Sequence, residues 1–579
     1  MAKVLGIHIG HDSTAALVVD GEIIASVSEE RFNRIKHYAG LPIDSIAYCL
    51  QEGGITFEQL DEVALTSAWA QPEKLMQVMS LKLEPIPQKD IEQRGDGLLD
   101  RVINVAREAV RAWRPSEDGE VPPFYFHDKW KTRPVPARRV EHHLAHAASA
   151  YYTSGVHEPL LVFTADGIGN RRSLCVWRAS LPAKFELLHS EGADGSLGWF
   201  YGLVTEGLGW WVGDGEGKTM GLAPYGDPKK AEGVLDKYCP HYENGRLVRP
   251  HNFGKVGAWL ETGTLHWHFA EAAEVAELVK KYGREHIAAE AQRVLEREMI
   301  PFVQHWLKKE GTRKACFSGG LMLNVKMNQR LWESGALDVQ HIFSEAGDAG
   351  LAAGAALYAN AVLGGKIAAK PIRDVYWGPR FEDDYIEFLL NERGLHYEKT
   401  TDIAAAAAER LAAGRIVGWF QGRMEAGPRA LGCRSILMDT SKAENKDIIN
   451  ARVKFREGFR PFCPSMTPKA AKELLDPRAR PERFMITSFD VQPSQRHRIP
   501  AVVHADGTAR PQVVEEDMNP LFHRLLVEFG KRTGTECLLN TSFNIKGEPI
   551  VCNPREAIRC FFDTGLDSLV LGSFILDKS

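Results

Sequence analysis

The sharpest chemical signal in the chain is a pair of histidines four residues apart, in the run His142-His143-Leu144-Ala145-His146. On a helix, His142 and His146 share one face, so both imidazoles reach a single ion. The Glu of an HExxH zinc-protease motif is absent, so that chemistry lacks its general base. Asp166 closes an apolar run at Leu160–Ala165, and Asp348 sits in Glu345-Ala346-Gly347-Asp348-Ala349-Gly350, another Gly-flanked strand end. Two His and two Asp make an N/O donor set suited to Fe(II), Mn(II) or Zn(II), with room for a phosphate oxygen. The plainer reading of Asp348 is a helix cap. His11-Asp12 occupies the first polar turn, where an imidazole is placed for general-base work near neutral pH. A turn histidine satisfied by backbone is the alternative.

A second set is basic. From Arg415 to Arg460 the chain carries ten Lys/Arg against five Asp/Glu. The arginines are interleaved with Gly427-Pro428, Gly432, Gly458 and aromatic residues, in Arg429-Ala430-Leu431-Gly432 and Lys454-Phe455-Arg456-Glu457-Gly458-Phe459-Arg460. Forked guanidiniums on irregular backbone suit an anion pocket better than a solvated helix face. Asn540-Thr541-Ser542-Phe543-Asn544 offers amides and hydroxyls at a strand end, and His504 to Gln512, with Arg510, is a further polar loop for a phosphate or a carbamoyl group. There is no GxxxxGK[ST] loop, so ATP would be held some other way.

The elements that must position these groups follow from periodicity. Val4–Ile9, Thr14–Val19 and Glu22–Val27 read as three strands, with an Asp20-Gly21 hairpin turn. Leu160–Ala165, Ser173–Trp177 and Phe185–Leu188 repeat that grammar around Asp166-Gly167-Ile168-Gly169, which suggests an internal duplication. Ala272 to Lys309 reads as one long amphipathic helix, Ala315–Phe317 as a strand, Ser318-Gly319-Gly320 as a turn and Leu323–Glu333 as a helix. Ala349 to Leu363 reads as a buried Ala/Gly-rich helix, too short for a membrane span. After a Gly/Pro seam at 364–379 a second α/β pattern begins, with a helix at 403–413, strands at 415–420 and 537–540, a helix at 554–564 and a last strand at 568–576. Residues 80–135, charged and punctuated by proline, read as an insertion.

The whole-chain quantities exclude several classes. The chain has 579 residues, with 71 Lys+Arg against 76 Asp+Glu and a net charge of −5, so it is not held on nucleic acid by bulk charge. With 44% hydrophobic and 25% charged residues it is not globally disordered. Its nine cysteines include no CxxC pair, which argues against a thiolate zinc site or a disulfide framework. A cytoplasmic location is expected, since Met1-Ala2-Lys3-Val4-Leu5-Gly6 runs straight into a strand and does not read as a signal peptide.

Taken together the motifs resemble the O-carbamoyltransferases of the NodU/CmcH type, whose members modify nodulation factors, cephalosporins, aminoglycosides and macrolactams. The matching strings are His11-Asp12-Ser13, Glu29-Glu30-Arg31-Phe32, His142 to Ser149, Gly215 to Ala223, Ser318-Gly319-Gly320, Gly427 to Gly432, Phe459-Arg460-Pro461-Phe462 and Asn540 to Asn544. They run in order along nearly the whole chain. The resemblance implies an α/β protein: an actin/sugar-kinase-like (Kae1-like) duplicated domain over 1–368 and a YrdC-like domain over 369–579. It implies that carbamoyl phosphate and ATP, the latter with Mg(II), give carbamoyl-adenylate in the second domain, and that the first moves the carbamoyl group to a hydroxylated small-molecule acceptor in natural-product or antibiotic biosynthesis.

By the same resemblance His142, His146, Asp166 and Asp348 are metal ligands, Fe(II) foremost, and His11 with Asp12 is the catalytic base pair. Lys36, Gly167, Gly319, Gly320 and Asn324 contact the nucleotide or adenylate. Arg429, Lys454, Arg460, Arg510, Asn540 and Ser542 bind carbamoyl phosphate. Gly458 departs from the bulkier residue frequent in the family. The residues alone also admit an actin-fold small-molecule kinase, a threonylcarbamoyl-type tRNA-modifying transferase, or a nucleotide-binding regulator. Neither a membrane nor a nucleic-acid partner is expected.

Overall fold

The computed structural model describes residues 2–67, 119–124, 135–254, 256–368 and 370–578. The chain forms two compact units, Met1–Ile372 and Arg373–Ser579.

The first unit contains two sheets. One is built from β1 (Lys3–His8), β2 (Thr14–Val19), β3 (Glu22–Ser28), β4 (Glu62–Thr66), β5 (Gly119–Phe124) and β6 (Val135–Arg139), in the order β3-β2-β1-β4-β6-β5. The other uses β7 (Leu160–Gly169), β8 (Arg172–Ser180) and β9 (Lys184–Glu191). Beyond a separate hairpin, β10 (Val256–Glu261) with β11 (Thr264–Phe269), it is completed by β12 (Lys314–Ser318) and β13 (Val339–Ile342), in the order β9-β8-β7-β12-β13. In each sheet a three-strand antiparallel meander is extended by two parallel strands, the first lying beside the meander's opening strand, and in the first sheet β5 adds an antiparallel edge on β6. This repeated order is the duplicated sheet of the actin and sugar-kinase architecture. The hairpins match too. Asp20 and Gly21 both take positive φ (52° and 89°), as do Asn170 and Arg171 (46° and 68°), the backbone of a tight turn whose twist fits the strands it joins.

Small residues set the packing. Helix α1 (His142–Thr153) is buried along its whole length. After α2 (Leu197–Gly207), α3 (Arg284–Glu310) and α4 (Val325–Glu333) comes the Ala/Gly helix α5 (Leu351–Val362), which lies against β1, β2 and α1. A methyl group on Gly6 of β1 would fall 1.9 Å from the Ala352 carbonyl oxygen, and one on Gly354 of α5 would fall 2.0 Å from that of Ala145. Backbone therefore meets backbone at both faces of α5. That explains a composition read from sequence as buried, and among the described residues no helix is long and apolar enough to cross a membrane.

The second unit is a mixed α/β domain. Its strands β14 (Glu398–Lys399), β15 (Val417–Phe420), β16 (Arg434–Asp439), β17 (Cys463–Met466), β18 (Gln512–Val513), β19 (Cys537–Ser542), β20 (Ser568–Leu571) and β21 (Phe574–Asp577) form one sheet. Its order is β14-β21-β20-β15-β16-β19-β17-β18. Alternation along the central strands feeds two cores. Trp419, Leu437 and Leu538 pack on α6 (Ile403–Ala412) and α7 (Pro520–Thr533), while Phe420, Ile436 and Leu539 pack on α8 (Pro554–Asp563).

Two element expectations are corrected. The helix expected from Ala272 to Lys309 is two, Ala272–Tyr282 and Arg284–Glu310, because Gly283 at φ 93° breaks the helical path. The last strand is a hairpin turning at Gly572, φ 53°. The segment 80–135 lies outside the described residues except for Gly119–Phe124 and Val135.

Gly6→Ala should destabilise the first unit by about 1–3 kcal/mol, the usual cost of overpacking. A thermal melt checks this.

Candidate functional site

The first unit gathers the His/Asp set at the ends of α1, β7 and the turn before α5. His142 Nε2 lies 3.1 Å and His146 Nε2 3.3 Å from Asp166 Oδ2, and they lie 3.6 and 3.5 Å from Asp348 Oδ1. One ligand atom from each of the four residues falls within 4.8 Å of every other. Ligands about 2.1 Å from a shared ion, at angles between tetrahedral and octahedral, stand about 3.0–3.4 Å apart, so the donor set fits a divalent metal. Its surroundings fit as well. His146 Nδ1 pairs with Ser318 Oγ at 3.2 Å, turning Nε2 toward the carboxylates, and both imidazoles are fully buried. Burial opposes charge on His146, but hydrogen bonds to Asp166 and Asp348 outweigh it and hold the imidazole up at about 9. Such a pocket attracts a cation. His143, between the two, does a different job: its Nε2 donates to the Arg172 carbonyl (2.9 Å) and its Nδ1 accepts from Thr164 Oγ1 (2.9 Å). Burial holds it neutral.

Asp166 is placed by glycines. The Gly167 N–H donates to Asp166 Oδ1 at 2.7 Å. A methyl on Gly320 would lie 2.9 Å from that oxygen, and one on Gly319 (φ 98°) would lie 2.1 Å from the Ala165 carbonyl oxygen. The structure thus brings Gly167, Gly319 and Gly320 to the metal-side strand end. It does not bring the Asn324 side chain there as a free group. That side chain caps α4 by accepting from the Met327 N–H (3.0 Å) and exchanges amide hydrogen bonds with Gln292.

His11 stands beside this centre, its Nδ1 3.1 Å from Asp12 Oδ2 and 3.9 Å from Asp348 Oδ2. Burial opposes its charge, and the two carboxylates prevail, raising the imidazole above its ordinary range. Asp12 has left-handed backbone (φ 58°), and its other oxygen takes His37 Nδ1 at 2.8 Å. His37 Nε2 faces Asp214 at 3.5 Å, and Lys36 pairs with the same Asp214. His37 is pushed up to about 10: burial disfavours its charge, but Asp12 and Asp214 more than compensate. His8, fully buried, donates from Nε2 to the His11 carbonyl at 3.0 Å, which fixes the turn.

In the second unit Glu425 folds the basic loop onto itself, accepting from the N–H groups of Leu431 (2.6 Å), Cys433 (3.2 Å) and Arg434 (3.2 Å). Two arginines of this loop then diverge. Arg434 is buried and fully served by carbonyls, including Gln421 and Pro379 at 2.9 Å, with its guanidinium 3.6 Å over the Phe420 ring. Arg429 has a buried Nε with no partner. Burial, then repulsion from Arg510 and Arg460, drives its guanidinium down to about 9, and burial with Arg460 and Arg510 does the same to Arg456. A guanidinium keeps its proton in neutral water, so the penalty is borne as lost stability that a bound anion would relieve. Arg510 Nε donates to Cys463 Sγ at 2.9 Å. Lys454, buried, points at uncharged oxygens: Ser542 O and Oγ, Asn544 O and Asn544 Oδ1. Asn540, on the same face of β19 as Ser542, donates to the Ala430 carbonyl at 3.1 Å and leaves Oδ1 buried without a partner. The sequence-derived residues Arg429, Arg460 and Arg510 are therefore neighbours, and Lys454 meets Ser542.

Compared with known proteins, residues 3–357 match the family description "Carbamoyltransferase N-terminus" and residues 408–578 match "Carbamoyltransferase C-terminus". The chain belongs to the carbamoyltransferase family. It is 36% identical over 581 residues to nodulation protein NolNO of Sinorhizobium fredii, covering 98% of this chain and 79% of that protein. It is 28% identical to nodulation protein U of Rhizobium tropici, covering 96% and 93%. Among solved structures, component A of the Acidaminococcus fermentans (R)-2-hydroxyglutaryl-CoA dehydratase matches 62% of the chain at 17% identity and a TM-score of 0.32. The strand order above, and not that likeness, carries the fold.

Sequence reading missed several groups of this carbamoyltransferase site. His37 and Asp214 each lie in strings quoted for other reasons or just beside them, and only the fold brings them to Asp12. His8 was hidden in an apolar strand. Arg456 stood in the basic run read as an anion pocket, but the carbamoyl phosphate set implied by the resemblance named Arg460 and not Arg456. Cys463 carried no local signal.

Two outcomes are expected. Metal analysis should find one divalent ion per chain in wild type, with His142→Ala and Asp166→Ala weakening it by more than about 100-fold, and His143→Ala altering stability instead. Inorganic phosphate should raise the melting temperature of the second unit, by about 2.7 kcal/mol of stabilisation at a hundredfold excess over Kd. Arg510→Ala should abolish that rise.

Proposed function

We propose that this carbamoyltransferase activates carbamoyl phosphate with ATP to carbamoyl-adenylate in the second unit and passes the carbamoyl group to an acceptor hydroxyl in the first. The observation that carries this reading is the group of four guanidiniums at Arg429, Arg456, Arg460 and Arg510, with its buried unpartnered Arg429 Nε and Asn540 Oδ1. The arginines would bind phosphate oxygens through forked hydrogen bonds. The free Asn540 Oδ1 would accept from the carbamoyl NH₂, and Lys454 would meet charge developing on phosphate. Water would cleave carbamoyl phosphate to carbamate and phosphate, and a carbamate oxygen would then attack the α-phosphorus of ATP as pyrophosphate leaves, so that the carbamoyl group gains AMP as a good leaving group.

In the first unit the acceptor hydroxyl would attack the carbamoyl carbon as the bond to the AMP oxygen breaks. AMP leaves with the electron pair, and His11 takes the hydroxyl proton. Asp12 orients His11, and His37 in turn holds Asp12. A divalent metal on His142, His146, Asp166 and Asp348 would draw negative charge from the leaving phosphate. Gly167, Gly319 and Gly320 hold the Asp166 carboxylate at the end of β7, beside which the adenylate phosphate would bind. ATP is read as entering with Mg(II).

The duplicated sheet also suits a small-molecule kinase, and the ATP product separates the two. With ATP, Mg(II) and carbamoyl phosphate, pyrophosphate should appear only when carbamoyl phosphate is present. Arg460→Ala should abolish it, and His11→Asn should retain it while losing transfer to any acceptor. ADP as the product, or loss of the same half-reaction in both variants, would contradict the two-site assignment.

A further inference from the structure

Cys463 differs from the other cysteines in what surrounds it. Burial pushes the thiols of Cys175, Cys239, Cys316, Cys433, Cys537 and Cys560 up, so each stays protonated and inert. Cys463 opens β17 beside the guanidinium group. The Arg510 Nε–H donates to its Sγ at 2.9 Å. The same sulfur is close enough to Arg429 and Arg456 to counter part of the fall that burial and like charge impose on both.

The groups around that sulfur are arranged to receive a small polar molecule. Cys463 lies directly opposite Asn540 in the antiparallel register of β17 and β19. Side chains paired in this way share a face, with Cβ atoms about 5 Å apart. Asn540 is 1% exposed, and its Nδ2 donates to Ser465 Oγ (2.9 Å) and to the Ala430 carbonyl (3.1 Å). Its Oδ1 is left buried and without a partner across from Cys463. Arg429 Nε is a second buried atom without a partner, in this case a donor. Cys463 is only 4% exposed, so a reagent reaches it by the route that admits carbamoyl phosphate.

These groups suit attack on a peroxide. A thiol attacking hydrogen peroxide forms an S–O bond as the O–O bond breaks. Sulfur is oxidised by two electrons, and the departing hydroxide leaves with the bonding pair and takes up the thiol proton as water. A second peroxide converts the sulfenic acid to a sulfinic acid, with a second water released. The departing oxygen carries developing negative charge, which guanidinium donors such as Arg429 Nε stabilise. The sulfinate is itself an anion, and it would form beside the arginines that otherwise hold phosphate.

We infer that Cys463 is an oxidative modification site, where hydrogen peroxide converts the thiol to sulfenic and then sulfinic acid and so closes the carbamoyl phosphate pocket with an anion of the protein's own. Adenylate formation is thereby tied to the level of oxidant. The inference rests on the reading of the guanidinium group as that pocket.

The test exposes the full-length protein to hydrogen peroxide with and without inorganic phosphate. Each cysteine is followed by peptide mass spectrometry, with dimedone to trap the sulfenic acid. Cys463 should be oxidised at least tenfold faster than any other cysteine, and saturating phosphate should slow it at least tenfold. Oxidised protein should lose the phosphate-dependent rise in melting temperature. Dithiothreitol should restore that rise after a brief exposure, which stops at the sulfenic acid, and not after a long one. Cys463→Ser and Cys463→Ala should each show the same phosphate response before and after peroxide. If neither variant responds before treatment, the wild-type arms decide alone. Equal oxidation of several cysteines, oxidation that phosphate does not slow, or a phosphate response that survives full oxidation of Cys463 would overturn the inference. Untreated wild type that phosphate fails to stabilise would instead overturn the reading of the pocket, and the inference with it.

Discussion

The close approach of backbone to backbone at the end of β7 is the constraint on which the first unit depends. Residues 165–167 are hemmed in by Gly198, Gly319 and Gly320. A methyl on the first would stand 2.6 Å from the Asp166 carbonyl oxygen, and methyls on the others would meet the Ala165 carbonyl and the Asp166 carboxylate. No side chain larger than hydrogen fits, so the strand end is fixed from three sides. Its carboxylate is thereby held toward α1, whose own place is set by the Ala/Gly helix α5. Asp348 opens the 3₁₀ turn at Asp348–Gly350 that leads directly into α5. One packing solution thus positions all four donors of the metal set, and with them the His11 turn that reaches the same Asp348.

The second unit solves a different problem, how to keep several cations close together under cover. Arg434 shows what a purely structural buried arginine looks like. It has carbonyl acceptors around its guanidinium and an aromatic ring beneath. Arg429, five residues earlier on the same Glu425-organised loop, has a donor with nothing to meet and like charges for neighbours. The contrast within one loop separates a structural arginine from an unsatisfied one, which the count of basic residues cannot do because it includes both kinds.

Much of this was legible in the residues. The i, i+4 spacing of His142 and His146 sufficed to place both on one face of a helix, and the Gly-flanked positions of Asp166 and Asp348 marked both as candidate donors. The Asp20-Gly21 turn and its counterpart after Gly169 exposed the duplication that the strand order displays. Interleaving of Gly, Pro and aromatic residues marked the basic loop as something other than a solvated face. What stayed hidden needed three-dimensional contact. Asn324 looked like a ligand contact, yet a helix N-terminus claims its amide. Gly283 interrupted a helix whose apolar periodicity runs straight through it. His37 and Asp214 lie 177 residues apart and share an ion pair that no local pattern announces.

The central claim is that one chain makes a carbamoyl–AMP anhydride and then spends it on a hydroxyl. The most direct measurement supplies ATP labelled in its α-phosphate together with carbamoyl phosphate labelled at carbon, quenches rapidly, and separates the nucleotides. The account predicts one transient species carrying both labels, decaying to AMP. Phosphate label recovered only in ADP, with the carbon label never joined to nucleotide, would contradict it.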